Sequence, residues 1–475
     1  MEDYRVVADE LAREIVDGRL RPGDQLPTQR AFARARGIAN STAGRVYREL
    51  VRRGLVVGEV GRGTFVRAVP GGPGGAVALA EPAGTPVDLA LNHPVVPEQA
   101  ALLAAGLAPL LRPDALAAAL RPVGVAGTAE ARRAFAALAA GSGPGAGPSG
   151  AGSGSRSSGS GSGLTVGAGE PGWAVDADGV LFAGNDRQLI AAALGALVRP
   201  GERVGVEAFT YPVVKAVAER LGVHLVPLPV DESGLRPEAL AAVHRATPLR
   251  ALYLQPRLHN PLGATLGPER RAVLAAEVAR LGLPVVEDAI WGFLCPGLPP
   301  FAALAPERTI LVDSLTKRLA PGLSTGFAVV PGPFRAAVGA ALHAGGATPS
   351  GYALEAAVRW IGDGTVDAVT AAKRVDARER QLLARGELFD QKLTGDPGSY
   401  GLWWTLPGGW RAETFVAAAA RAGITVVPAA AFAADPRSTP AAVRVGLASP
   451  PRPELARALA VLRRIARAGE SGQAG

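Results

Sequence analysis

The residues best suited to covalent chemistry stand around one lysine. Lys317 follows a short apolar run that ends at Asp313, and the loop after it closes with Pro321-Gly322. A lysine at a strand end can form an imine with an aldehyde cofactor if its neighbours lower its pKa. Hydroxyl groups at Thr316 and Ser314, one and three residues before it, can hold a phosphate. The chain has only four lysines among 50 basic residues, so this one carries more information than usual.

Three further groups stand at or just after the ends of predicted strands. Asp288 ends one strand, and a buried carboxylate there can keep a pyridine nitrogen protonated, which makes the ring an electron sink. Asn260 can place its amide on a ring hydroxyl, and Tyr211 can stack on the ring face. Together these groups suit a pyridine aldehyde cofactor held next to Lys317.

Groups that can bind anions complete the set. Asn185 and Asp186 open a predicted helix, whose first backbone N–H groups suit a phosphate. Arg444 stands in a β-branched run and can clamp a carboxylate through two parallel hydrogen bonds. Each group alone is a weak signal, because a lysine after a strand usually lies on the surface and a strand-terminal Asp is often a helix cap.

The elements that would position these groups alternate along the chain from Val87 onward. Helical stretches separate short apolar strands, and this alternation predicts a parallel α/β sheet with helices on both faces. From about Arg335 the pattern is helical and then mixed, which predicts a smaller α+β subdomain. The predicted strands are Arg203–Val206, Leu252–Leu254, Val285–Glu287 and Thr309–Val312 in the sheet, and Trp403–Leu406, Thr425–Val427 and Val443–Leu447 in the subdomain.

The N-terminal residues carry a different pattern, three short helices followed by a hairpin. Thr28 can cap the second helix, Gly37 ends it, and Asn40 or Ser41 can cap the third. A Gly-Arg-Gly turn joins the two strands of the hairpin. This order predicts a winged helix-turn-helix, with helices over Tyr4–Asp17, Thr28–Arg36 and Asn40–Arg53 and strands over Leu55–Val57 and Thr64–Val66.

The predicted third helix has one basic face. Arg45, Arg48 and Arg52 recur at i, i+3 and i+7 and share that face, while Val46 and Leu50 point inward. The start of such a helix meets base edges in the major groove, where arginine can grip guanine. A second interpretation, a protein-binding module with solvated arginines, fits the same pattern. Other groups that can reach DNA are Arg30, Arg34, Ser41, Thr42 and, at the wing tip, Arg62.

Composition limits the class of protein. The length of 475 residues suits two or three domains. Apolar residues make up 48% of the chain, which is enough for sizeable cores. The net charge of +8 and the pI of about 10.1 favour a polyanionic partner. One cysteine, Cys295, excludes a disulfide framework. No stretch of about 18 uncharged apolar residues and no signal-peptide core occurs, so we expect a cytoplasmic protein without a membrane-spanning helix; no metal-ligand set is predicted.

Two segments are expected to lack a fold. Residues 70–85 are rich in Pro, Gly and Ala and carry one charge, which predicts a flexible linker. Residues 141–163 are almost purely Gly, Ser, Ala and Pro, which predicts a disordered insertion. The predicted domains are a head at 1–68, a linker at 69–87 and a second domain at 88–475, whose smaller subdomain covers about 335–475.

The head contains three motifs that are specific enough to compare with a family. They are Leu26-Pro27-Thr28-Gln29-Arg30, Ser41-Thr42 with Arg45-Val46-Tyr47-Arg48-Glu49-Leu50, and Gly61-Arg62-Gly63-Thr64-Phe65-Val66. Together they resemble the GntR family of regulators, without a gap over about residues 4 to 67. The resemblance implies that Arg30, Ser41, Thr42 and Gly61 contact DNA.

The groups around Lys317, in this order, resemble the fold-type I aminotransferase superfamily over roughly residues 88 to 465. A GntR head on such a domain resembles the MocR subfamily of regulators. The resemblance implies pyridoxal phosphate as the cofactor and Lys317 as the Schiff-base lysine. It also implies contacts of Asp288 with the pyridine nitrogen, Asn260 with the ring hydroxyl, Tyr211 with the ring face, Ser314 with the phosphate and Arg444 with an amino-acid carboxylate.

Some positions differ from both resemblances. Asn40 stands where the GntR family usually has arginine, and Gly44 where a long side chain is frequent. Trp291 replaces the tyrosine that usually bonds the ring hydroxyl, and Ser324 replaces the arginine that neutralises the phosphate. Residues 123–127 lack the tyrosine that reaches the partner subunit's phosphate. Losing an arginine–phosphate pair costs roughly 1.5 to 3 kcal/mol.

Three functions fit these observations. In the first, a homodimeric regulator bound to a DNA operator senses an amine or amino acid by exchange at Lys317, which changes how its heads are presented. In the second, the chain is a working aminotransferase that also carries the head. In the third, the sensor has lost its cofactor and only dimerises. Retention of Lys317 argues against the third and the changes at Trp291 and Ser324 argue against efficient catalysis, so we expect the first.

Overall fold

The computed structural model describes residues 3–20, 24–59, 63–66, 86–141, 173–435 and 439–471. Gly61 and Arg62, and most of the predicted linker 69–87 and insertion 141–163, lie outside these residues. The predicted division into domains therefore stays a prediction. The chain forms two compact units, called unit 1 (Met1–Val95, Leu197–Val285 and Arg374–Gly475) and unit 2 (Val96–Ala196 and Val286–Lys373).

Sixteen α-helices occur in the described residues. In chain order they are α1 (Tyr4–Val16), α2 (Gln29–Arg36), α3 (Asn40–Arg52), α4 (Gln99–Leu107), α5 (Pro113–Ala119), α6 (Ala129–Ala140), α7 (Asp186–Leu197), α8 (Pro212–Leu221), α9 (Leu240–Ala246), α10 (Pro268–Leu281), α11 (Leu315–Arg318), α12 (Gly332–Ala344), α13 (Gly351–Gly362), α14 (Thr365–Glu387), α15 (Ala412–Arg421) and α16 (Arg452–Ser471).

Eighteen strands occur in the same part of the chain. They are β1 (Gln25–Leu26), β2 (Val56–Glu59), β3 (Gly63–Val66), β4 (Val87–Asp88), β5 (Val180–Ala183), β6 (Arg203–Glu207), β7 (His224–Leu228), β8 (Val230–Asp231), β9 (Gly234–Leu235), β10 (Ala251–Leu254), β11 (Val285–Asp288), β12 (Thr309–Ser314), β13 (Gly326–Val329), β14 (Lys392–Thr394), β15 (Gly401–Thr405), β16 (Ile424–Thr425), β17 (Val427–Pro428) and β18 (Ala442–Gly446).

The head has the predicted three helices and hairpin. Helix α3 buries Val46 and Leu50 completely, as its periodicity requires, and Tyr47 donates a hydrogen bond to the Pro27 carbonyl at 2.6 Å. Strands β2 and β3 pair antiparallel, and β1 adds a third strand on the other edge of β3. These elements form a winged helix-turn-helix around one apolar core.

The helix ends of the head follow the predictions in one case and not in another. The Thr28 side chain accepts a hydrogen bond from the Ala31 amide, and Gly37 ends α2 with φ of 67°. The prediction that Asn40 or Ser41 caps α3 is wrong, because the extended residue before the helix is Ala39, which has no side-chain acceptor. The exposed side chains of Asn40 and Ser41 therefore lie in the first turn of α3.

Unit 1 also contains three parallel strands and a smaller sheet. Strand β6 pairs in parallel with β10 on one side and β7 on the other. The smaller sheet has the order β14-β15-β18-β17 with antiparallel pairing. Its core contains Trp404 and Phe415, whose rings meet edge to face at 5.2 Å. This is the α+β pattern expected for the last part of the chain.

Unit 2 departs from the all-parallel sheet that the alternation predicts. Strand β13 pairs antiparallel with both β12 and β5, so the strands here are mixed. The connection from β12 to β13 is too short for a crossover helix, because parallel neighbours need a dozen or more residues between them. Phe135 packs edge to face on Phe182 and Phe327, which anchors α6 to β5 and β13.

Within the described residues, no single helix is long and apolar enough to cross a membrane. One helix pair, Gln99–Leu111 with Pro113–Ala119, passes by length and composition alone, but it is bent by 101°.

Candidate functional site

Lys317 lies on α11, the four-residue helix that follows β12 in unit 2. The predicted strand end was Asp313, and the observed strand runs one residue further, to Ser314. The Lys317 amine lies over the Trp291 ring, 5.6 Å from its centroid. Trp291, which stands where the resemblance expects a tyrosine that bonds the ring hydroxyl, therefore offers the lysine amine a π face.

An ion pair holds the segment on which Lys317 stands. Arg318 donates to Asp313 at 2.6 Å, with only 11% and 3% of the two side chains exposed. The guanidinium group also lies over the Phe293 ring at 5.6 Å. The sequence analysis did not single out this pair, although a charge five residues from its counter-charge across a strand–helix turn is visible in the sequence.

Three segments of unit 2 converge where a phosphate is expected. Gly326 on β13 pairs with Ser314 on β12, and a side chain at Gly326 would collide with Asn185 at 2.5 Å. The N-terminus of α7 therefore packs directly against the two strands. Ser314 accepts a hydrogen bond from the Thr316 amide, and the buried Thr316 hydroxyl has no hydrogen-bond partner among the described residues.

Two side chains at the start of α7 do different things. The Asn185 side chain accepts a hydrogen bond from the Gln188 amide at 3.0 Å and so caps the helix. Burial raises the pKa of the Asp186 carboxyl above its usual range, while the charges of Lys317 and Arg187 oppose that rise. Asp186 thus brings a carboxyl to the predicted phosphate site and faces the Lys317 amine.

Asp288 ends β11, as predicted, and is almost fully buried. Its carboxylate accepts a hydrogen bond from the Ile290 amide at 3.1 Å. The β11 and β12 strands are joined beyond this point by the Ala289 amide and the Val312 carbonyl, at 2.8 Å. Asp288 therefore stands at the same strand end as Ser314, within unit 2.

The other predicted cofactor contacts lie in unit 1. Tyr211 is the residue before α8, and Asn260 stands in the loop after β10. The Asn260 backbone N–H donates to the Gln255 side-chain oxygen at 3.2 Å. Beside it, burial lowers the pKa of His259 to about 4, so its ring is neutral at neutral pH and Nε2 can donate to the Phe209 carbonyl at 2.9 Å.

Arg444 is a buried cation on β18 in unit 1, with 8% of its surface exposed. It donates to the Ala90 carbonyl at 2.5 Å, and its Nε atom has no hydrogen-bond partner in the described part of the chain. Burial lowers the pKa of Arg444 to about 10, although Asp88 and Tyr211 act in the opposite direction. Arg444 and Tyr211 are therefore close to each other in unit 1.

The residues predicted to contact DNA that the structure describes lie on the surface of the head. Arg30, Asn40, Ser41 and Arg45 are exposed and Thr42 is partly buried. Arg30 and Asn40 line one shallow groove together with Arg34, between α2 and α3. Arg52 differs, because it forms an ion pair with Glu49 at 2.6 Å. The predicted contacts of Gly61 and Arg62 lie outside the described residues.

Comparison with protein families assigns both parts of the chain. Residues 3–66 match the family "Bacterial regulatory proteins, gntR family", and residues 165–462 match "Aminotransferase class I and II". Because the second match covers more than half of the chain, the protein belongs to the aminotransferase class I and II family. With its gntR-type head it is a transcription regulator of the MocR type, which confirms the fold class and the main function predicted from the sequence.

Similar regulators are known from several bacteria. The chain is 28% identical over 470 residues to the "Uncharacterized HTH-type transcriptional regulator YdeF" of Bacillus subtilis, covering 97% of this chain and 94% of that protein. It is 28% identical to the "HTH-type transcriptional regulator TauR" of Rhodobacter capsulatus, with 88% and 87% covered. It is 30% identical over 165 residues, 34% of this chain and 35% of that protein, to the "HTH-type pyridoxine biosynthesis transcriptional regulator PdxR" of Corynebacterium glutamicum.

Solved structures of similar fold are aminotransferases. The α-aminoadipate aminotransferase LysN from Thermus thermophilus is 23% identical with a TM-score of 0.67, covering 84% of this chain and 97% of that one. N-succinyldiaminopimelate aminotransferase from Mycobacterium tuberculosis is 25% identical with a TM-score of 0.64, covering 82% and 95%. The fold of the second domain is therefore that of an aminotransferase.

Proposed function

We propose that this regulator holds pyridoxal phosphate through Lys317 and uses it to sense an amine or amino acid. The observation that carries the proposal is the convergence, in unit 2, of the Lys317 amine, the Ser314 and Thr316 hydroxyls and the N-terminus of α7. When bound, the cofactor supplies an aldehyde that joins an amine covalently and a ring that withdraws electrons. The chain's own residues supply the amine, the phosphate contacts and the charge next to the ring.

The residues present fit the cofactor. The Thr316 hydroxyl is buried without a partner among the described residues, and such a group costs free energy unless a ligand satisfies it. Backbone N–H groups at the start of α7 favour a phosphate. Asp288 would hold the proton of the pyridine nitrogen. The ring contacts that the resemblance implies for Asn260 and Tyr211, which lie in unit 1, stay predictions. These roles support cofactor binding even though Ser324 stands where the resemblance expects an arginine.

Asp186 sets a condition on that binding. A carboxylate next to a phosphate is repelled, and juxtaposed like charges cost several kcal/mol. Because burial raises the pKa of Asp186, the carboxyl can take up a proton more readily than an exposed aspartate. We infer that the phosphate is held against a protonated Asp186, so that the cofactor and a proton are bound together.

The effector class follows from Arg444. A buried guanidinium group with an unsatisfied Nε atom suits a carboxylate, which can accept two parallel hydrogen bonds from it. The cofactor, when bound, would supply a carbon at which one amine can replace another, and Lys317 would be the chain's own amine in that exchange. We therefore propose an α-amino acid as the effector rather than a simple amine.

The partners follow from the head. The exposed Arg30, Asn40 and Arg45 suit a DNA operator, and the aminotransferase-like domain suits a homodimer that would present two heads to two half-sites. A DNA operator as the target would place the protein in the cytoplasm. The effector would act through different affinities of the loaded and unloaded states for the operator.

The first experiment is an absorption spectrum of the purified protein with added pyridoxal phosphate, followed by borohydride reduction and peptide mass mapping. We expect a visible band that borohydride bleaches and a reduced adduct on Lys317. The Lys317→Ala variant should fold, bind DNA and lack the band. A band that persists in this variant would refute the lysine assignment, and a folded wild type without any band would favour a dimerisation scaffold.

Catalytic transamination is the second candidate. The aminotransferase-like fold favours it, and the changes at Trp291 and Ser324 oppose it. Steady turnover of an amino donor with a keto acid would establish it. We propose that turnover stays negligible while the lysine adduct still exchanges with amino acids.

A further inference from the structure

Lys373 is a buried lysine that the chemistry proposed above does not use. It lies on α14, its side chain is fully buried, and it is one of the four lysines of the chain. Removing an ammonium group from water costs several kcal/mol unless hydrogen bonds replace its hydration. The partners of its ammonium group therefore indicate what the lysine does.

Two partners of Lys373 belong to the segment that carries Lys317. The Nζ atom donates to the carbonyl oxygen of Lys317 at 3.0 Å and to that of Leu319 at 2.5 Å. These carbonyls lie at the C-terminal end of α11, where carbonyl groups have no partner inside the helix. A positive charge is favourable at this end of a helix. Lys373 thus acts as the cap of the helix on which Lys317 stands.

We propose that Lys373 is a positioning residue for Lys317. Its ammonium group holds the backbone on both sides of Arg318 and so fixes the direction in which the Lys317 amine leaves α11. The ammonium group of Lys373, which lies against the Lys317 backbone, also disfavours a second positive charge on the Lys317 amine. The carboxyl of Asp186 faces the same amine and favours that charge. The inference rests on the proposed function, in which Lys317 bonds the cofactor.

The test measures the reactivity of Lys317 without any cofactor. The apo protein is labelled with trace acetic anhydride over a series of pH values, and peptide mass mapping assigns the label among the four lysines. Lys373→Met removes the charge and the donors but keeps the length of the side chain. We expect the pH of half-maximal Lys317 labelling to rise by about one unit, a tenfold loss of labelling at a fixed lower pH.

A second variant and a matched control separate positioning from general stability. Lys373→Arg keeps the charge but changes the donor geometry, so we expect a smaller shift than in Lys373→Met. Lys215→Met is the control, because Lys215 also donates to a backbone carbonyl, that of Ala431 at 3.1 Å in unit 1. We expect it to leave the Lys317 profile unchanged. If Lys373→Met does not fold, the shift in the pH of half-maximal Lys317 labelling in Lys373→Arg decides whether Lys373 positions Lys317.

The outcomes distinguish this inference from the proposed function. An unchanged Lys317 profile in folded Lys373 variants, even with a lower melting temperature, would overturn the inference and reduce Lys373 to a structural residue. A shifted profile in a protein that forms no borohydride-reducible adduct with pyridoxal phosphate would support the positioning of Lys317 and overturn the proposed function instead.

Discussion

Asp313 and Arg318 form an ion pair that closes the turn from β12 into α11, with 2.6 Å between Arg318 Nη2 and Asp313 Oδ2. Both side chains are nearly buried. In the sequence the pair brackets Ser314, Thr316 and Lys317, so it closes the segment that carries the predicted phosphate hydroxyls and the predicted Schiff-base lysine. A buried carboxylate that loses its cation is costly, since neither water nor another charge replaces it.

Arg318→Met should destabilise the protein by about 3–5 kcal/mol, the usual cost of removing one partner from a buried ion pair. Urea or thermal unfolding followed by tryptophan fluorescence measures the change. The matched control is Arg112→Met, which breaks the pair of Arg112 with Asp114, where 72% and 67% of the side chains are exposed. That variant should lose about 1 kcal/mol or less. Equal losses of stability in both variants would contradict the structural role of the pair between Asp313 and Arg318.

Arg444→Met should remove the preference for amino acids over the corresponding amines. The physical reason is that the buried Arg444 would contact only the carboxylate, which the decarboxylated amine lacks. Binding of an amino acid should weaken about ten- to a hundredfold, while binding of its decarboxylated amine changes little. The ratio of the two affinities, measured from the change in the lysine-adduct band, is the readout.

Arg385→Met is the control for Arg444. Arg385 also donates to a backbone carbonyl, that of Gly395 at 2.7 Å, and also lies in unit 1. It should leave the ratio of affinities unchanged. If both ligands weaken equally in Arg444→Met, the residue supports the fold of the small sheet and is not the carboxylate receptor.

The sequence predicted the local parts of this molecule well. The positions of Asp288 at the end of one strand and of Lys317 just after another were predicted because the apolar run of each strand is visible in the sequence. The helices of the head were found because Val46 and Leu50 recur with the period of a helix. Such signals lie within a few neighbouring residues, and local geometry follows from them.

The parts that the sequence did not predict depend on contacts between distant residues. The bond from Lys373 to the Lys317 carbonyl spans 56 positions, and no local pattern marks a lysine as buried. The antiparallel pairing of β13 depends on which strand ends meet, since a short apolar run reads alike in either direction. The predicted cap of α3 was wrong for a smaller reason, because the cap position falls one residue earlier, at Ala39.

Asp186→Asn should change how pyridoxal phosphate binding depends on pH. Burial raises the pKa of the Asp186 carboxyl, so in the wild type the protonated fraction grows as pH falls and binding becomes tighter. At higher pH the carboxylate forms and repels the phosphate. The variant lacks that carboxylate and should bind at least about tenfold more tightly at pH 8. A titration of the adduct band at several pH values checks this.

The pH profile of the same variant provides the control. The phosphate itself titrates with a pKa near 6, and the adduct forms only with the neutral Lys317 amine, so Asp186→Asn should retain the pH dependence of these two groups. The wild type should show an additional loss of affinity as the Asp186 carboxyl gives up its proton. Parallel profiles for the two proteins would mean that Asp186 does not carry the coupled proton.

Arg30→Ala and Arg45→Ala should each weaken operator binding without changing the absorbance of the lysine adduct. Both side chains are exposed on the head, and Arg30 lines the groove between α2 and α3. If either contacts a phosphate, the slope of log affinity against log salt should fall by about one for that variant. Arg52→Ala is the comparison, because Glu49 already neutralises Arg52 and little counterion release is expected from it. An equal loss in all three variants would indicate a general charge effect in place of specific contacts by Arg30 and Arg45.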